Sequence, residues 1–119
     1  MKTTKKHFEI FKKECEKWIN KLKLDDWEFN YHHENPSMEG ADACVETNTI
    51  FRRVDIYLSI DQFDEETFNT DYIKHVAKHE ILHVLLKNLN YLTHKRFITE
   101  DQIIQTEEQI IRKLEKLIK

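Results

Sequence analysis

His79-Glu80-Ile81-Leu82-His83 is the stretch whose reading decides this chain, and it lies within residues 72–89, YIKHVAKHEILHVLLKNL. The run reads as a helix. Residues four apart on a helix share one face, one turn above the other, so both imidazoles can reach a single metal ion. Glu80 is turned about 100° from His79. From there it misses the metal and can touch a water held on it.

The flanks agree with a helix. Asn69 or Thr70 suits the cap, and Asp71 suits the positive end of the helix dipole. The helix is expected to end near Leu89, with Asn90 in the left-handed closing position. Apolar side chains occupy much of its circumference, which predicts a central, mostly buried element.

Upstream, residues 4–23 repeat Phe8, Phe11, Cys15, Trp18, Ile19 and Leu22 at helical spacing, with lysines and glutamates on the other side. Residues 27–33 alternate, placing Trp27, Phe29, Tyr31 and His33 on one face of a strand. Asn35-Pro36-Ser37-Met38-Glu39-Gly40 holds the only proline and the only glycine, and reads as a loop. Strands are expected over residues 41–47 and 50–59, joined at Thr47-Asn48-Thr49, with Val54, Ile56, Leu58 and Ile60 inward. Downstream, Thr99-Glu100-Asp101-Gln102 is a capping box that opens a last helix running to the C-terminus. The expected architecture is α+β in the order α-β-β-β-α-α, with a small antiparallel three-stranded sheet.

Composition sets the limits. A chain of 119 residues and 14.5 kDa is one domain, 1–119, with room for one core. The net charge of −3 argues against nucleic acid as the partner. Residues 1–24 carry eight lysines against three glutamates, and residues 25–46 carry seven carboxylates and no lysine or arginine. These blocks read as a solvated helix face and an acidic strand region. No apolar run has the length of a membrane span, and nothing near the first residues resembles a signal peptide, so the expectation is a cytoplasmic protein without a membrane partner. Cys15 and Cys44, the only two cysteines, fit reduced thiols.

A catalytic zinc takes three protein ligands and keeps one position open. The last helix would turn Ile103, Ile104, Ile110, Ile111, Leu114, Leu117 and Ile118 inward, and Glu107 falls in the middle of that arc. A buried carboxylate costs several kcal/mol unless something pairs with it. A zinc ion on His79 and His83 would be such a partner, which makes Glu107 the expected third ligand. Glu108 and His94 stay as alternatives. The competing reading is two ordinary core-edge histidines, with Glu80 paired to Lys78 or Lys87. His75 borders the same face, and Tyr72, Tyr91 and His94 are candidates for stabilising an oxyanion.

A helix, a small sheet, a His-Glu-x-x-His helix and a later helix with an inward glutamate resemble the zincin-like metallopeptidases of the minimal, glutamate-liganded type. The sequence around Val76–Leu86 and Glu107–Glu115 is also similar to short phage and prophage proteins described as metallopeptidases. The resemblance implies zinc on His79, His83 and Glu107, with Glu80 as general base for hydrolysis of a peptide or protein substrate. Such enzymes hold the substrate as an extra strand along a sheet edge. The metzincin pattern would place glycine at Leu86 and histidine at Leu89. The acid that thermolysin-like enzymes carry four positions after the ligand glutamate is Ile111 here.

Overall fold

In the computed structural model, the described residues are 2–37, 40–61, 63–66, 68–94 and 97–117. Thr4 starts the first helix: its hydroxyl accepts from the His7 N–H, and its own N–H donates to His7 Nδ1 at 3.0 Å. This capping box, with histidine in place of the usual glutamate, opens α1 (Lys5–Leu22). The helix stops at Lys23, whose φ of 53° is left-handed. Phe11, Cys15, Ile19 and Leu22 form its buried stripe.

The strands are β1 (Glu28–His33), β2 (Ala43–Asn48) and β3 (Arg53–Leu58), in the order β1-β3-β2. β2 and β3 form the expected antiparallel hairpin, but its turn is residues 49–52 rather than Thr47-Asn48-Thr49. β1 pairs with β3 in parallel, so the sheet is mixed and not antiparallel throughout. The reason lies in the route of the chain. After β1 it crosses to the far edge, adds β2, and doubles back through the centre as β3. Alternating side chains specify which face is buried, and they do not specify strand direction. Met38 and Glu39 of the punctuated loop lie outside the described residues.

Val54, Ile56 and Leu58 are fully buried on the sheet face that the helices cover. His33 faces the same way and stacks on Phe8 at 5.0 Å, whereas His32 faces the other side and meets Asp55 at 2.9 Å. The N-terminal segment is tied to the end of β3. Thr3 N–H donates to the Ile60 carbonyl at 2.6 Å, and its hydroxyl donates to the Ser59 carbonyl and lies 2.7 Å from His33 Nε2. Replacing Thr3 by valine keeps the shape and leaves these buried acceptors unpaired. We expect a loss of about 1–3 kcal/mol in urea unfolding.

Asn69 caps α2 (Thr70–Thr93), accepting from the Tyr72 N–H at 2.7 Å. The helix runs a turn past Leu89: Asn90 is helical, and the closing residue is His94 at φ −98°. Ile73, Val76, Ala77, Ile81, Val84 and Leu85 are buried, so α2 is central as expected, yet it leaves His79, His83 and Leu86 exposed.

The Thr99–Gln102 capping box opens α3 (Glu100–Glu115). Of its expected inward arc only Ile110 is buried, Ile104 is exposed, and Ile118 lies outside the described residues. α3 packs chiefly on α2. The Lys113 amine also reaches the Leu22 and Lys23 carbonyls, at 3.1 and 2.7 Å, and so ties α3 to the end of α1. No helix among the described residues is long and apolar enough to cross a membrane.

Candidate metal centre

The helical repeat brings His79 and His83 together as the spacing requires. Their Nε2 atoms are 3.1 Å apart, and the rings meet edge to face at 84°. Two imidazole nitrogens bound to one tetrahedral zinc at about 2.0–2.1 Å would be separated by about 3.3 Å, so the pair is close to the spacing of two ligands. Both side chains are exposed. Partial desolvation on the helix side of the ring lowers the pKa of His83, and the neighbouring His79 and Lys87 lower it further, which favours the neutral form that a metal needs.

Glu80 is packed largely against the core, only 8% exposed, and lines a cavity together with His79. Burial pushes its carboxyl up to about 7, and no compensating charge or side-chain hydrogen bond is present among the described residues. The competing pairing with Lys78 or Lys87 does not form. Lys78 instead lies over the Trp18 ring, 5.6 Å from its centre.

A cavity of about 300 Å³ opens beside these residues, bounded by Tyr72, His75, His79 and Glu80 of α2 and by Asp42 and Ala43 at the start of β2. Tyr72 donates to Asp42 at 2.7 Å, and that bond raises the tyrosine's pKa. Of the oxyanion candidates, Tyr72 therefore borders the cleft. Tyr91 and His94 sit about three turns or more beyond His79 on the helix. Asp42 has no signal in the sequence, because strand pairing alone brings it to the helix.

The third ligand is different. Glu107, Glu108 and His94 are all exposed. α3 meets α2 on the side that carries Val84, Leu85 and Asn88, where the two helices share a cavity wall with Thr106 and Ile110. On a helical wheel that side is roughly opposite His79 and His83. Among the described residues, no three histidine, cysteine or carboxylate side chains are grouped to hold one metal ion. The structure thus sets His79 against His83 and puts His79 and Glu80 on one cavity wall, and among the described residues it does not group Glu107 with them. Cys44 does not complete a set either, and burial raises its thiol, with Glu46 and Glu80 adding to the effect.

No family model matches the chain, and neither curated proteins nor solved structures give a match.

Proposed function

We propose that the chain binds zinc through His79 and His83 and hydrolyses peptide bonds, with Glu80 as the general base. The observation that carries this reading is the convergence of the two Nε2 atoms at 3.1 Å, with His79 sharing a cavity with a buried carboxylate that has no ion pair among the described residues. When bound, zinc supplies an electrophile that polarises a carbonyl and acidifies water. The chain's own contribution begins with Glu80, whose desolvated carboxylate accepts a proton from water and returns it to the departing amine. Tyr72, held by Asp42, offers a hydroxyl at the cleft wall. β2 is an edge strand and its Ala43 lines the cleft, so an extended peptide could pair along it within reach of the histidines.

A second reading has its own support: a binding or regulatory protein of this shape, in which the metal is structural or absent. The exposed position of Glu107 on the far helix favours it, because two histidines alone form an incomplete catalytic set.

Metal analysis and a broad peptide library separate the two. For the enzyme, purified protein carries zinc at one equivalent, His83→Ala loses it, and Glu80→Gln keeps the metal and stops cleavage. Zinc without turnover supports the binding protein. Wild type that takes up no zinc and is indifferent to chelator overturns the metal reading.

A further inference from the structure

A second cavity, of about 390 Å³, lies on the side of α2 away from the histidines, between the end of α1, the β2–β3 turn and α3. Its chemistry differs from that of the rest of the molecule. Lys23, Arg52, Arg112, Lys113 and Lys116 line it, and Asp26 is the one carboxylate among them. Five cations against one anion leave four positive charges in a chain whose net charge is −3.

Asp26 is already committed, because it pairs with Arg52. The same guanidinium donates to Asn88 at 2.6 Å and lies 4.0 Å over the Trp27 ring. These contacts hold Arg52 at a φ of 54°, a left-handed conformation that a non-glycine side chain rarely takes. Lys113 is fixed by the two carbonyls at the end of α1. Lys23, Arg112 and Lys116 have no ion pair among the described residues. The wall is thus two anchored cations, and the rim is three free ones. Trp27, Val84 and Ile110 close the bottom with apolar surface.

Like charges gathered round one hollow repel each other unless an anion joins them. A single carboxylate would offset only one of the four. A phosphate group carries about two charges and several acceptor oxygens, and it suits a mixed set of lysine and arginine donors. The volume falls within the usual range for a small-ligand site. We infer that this cavity is a binding site for a multiply charged phosphate group, separate from the histidine cleft. The group could come from a soluble organic phosphate or from a phosphorylated lipid headgroup. The turn that supplies Arg52 also exposes Ile50 and Phe51, each 76% accessible, beside the rim.

Titration of the full chain with pyrophosphate, and sedimentation with phosphatidylcholine vesicles with and without phosphatidylinositol bisphosphate, test the site and its source. We expect saturable, salt-sensitive binding to at least one probe. Pyrophosphate binding identifies a soluble ligand; capture only by the phosphoinositide vesicles identifies a headgroup. The double variant Arg112→Glu/Lys116→Glu changes two exposed residues and should weaken binding about tenfold or more. Lys13→Glu, on the exposed side of α1, should change it less than about twofold. Absence of saturable binding to every probe overturns the proposal. So does an equal loss in the rim variant and in Lys13→Glu, which would show attraction to overall charge alone.

Discussion

Glu80→Gln should make the metal-free protein more stable at pH 8 than the wild type, and should remove a pH dependence that the wild type shows. Glu80 titrates near 7 in the folded chain, because burial disfavours its charged form, against an ordinary value of 4.5. Its folded pKa is raised, so between those two values the folded state holds a proton that the unfolded state has released. Stability from this group is therefore full below about pH 4.5, falls as pH rises towards 7, and stays reduced above it. Every tenfold difference in proton affinity between the folded and unfolded chain corresponds to about 1.4 kcal/mol. The carboxylate borders an open cleft, so solvent screening brings the expected loss to about 1–3 kcal/mol. Glutamine has the same shape and nothing to ionise. Urea unfolding in chelator at pH 5 and pH 8 reads the difference, and the wild-type-minus-variant comparison cancels other groups such as His33, whose pKa burial lowers. Identical slopes for the two proteins would show that the carboxylate is freely solvated. Zinc in the buffer should flatten the wild-type slope, since a cation beside Glu80 restores its charged form.

Phe11→Ala should cost about 3–5 kcal/mol, a large share of the 5–15 kcal/mol typical of a domain. Phe11 is fully buried on α1, whose contact with α2 is the most extensive between any two elements. Removing the ring leaves a void that two helices and a sheet cannot close together. Ile104→Ala on α3 is the contrast: that side chain is 48% exposed, and its loss should change stability by less than about 0.5 kcal/mol. Chemical unfolding of both variants ranks the two helices. Equal costs would mean that α3 belongs to the core as fully as α1.

That contrast also shows what the sequence can carry. Order and type of every element were legible, as was the Thr99–Gln102 box, and the cap of α2 was narrowed to Asn69 or Thr70, of which the structure uses Asn69, because each depends on neighbours a few residues away. The pairing of His79 with His83 was legible for the same reason. Glu107 was not. Helical periodicity locates the centre of an apolar arc, but which part of that arc a neighbour covers depends on where the helix docks. The Lys113 amine at the end of α1, with Ile110 against α2, seats α3 by one flank and leaves Glu107 outside. Direction within the sheet failed similarly, since residues 27–33 alternate alike in a parallel or an antiparallel pair.

The strand order β1-β3-β2 arranges events in time as well as in space. β2 and β3 are joined by a turn of four residues, 49–52, whereas Glu28 of β1 meets Arg53 of β3 across 25 positions. A hairpin closes in roughly 1–10 μs, and a longer span adds a greater loop-closure entropy. β1 also has no central strand to recognise until β3 is laid down. The ladder beside the histidine cleft is thus the local one, expected to form first, and the long-range contact lies at the opposite edge. During folding, the cleft wall can be in place before the sheet is complete.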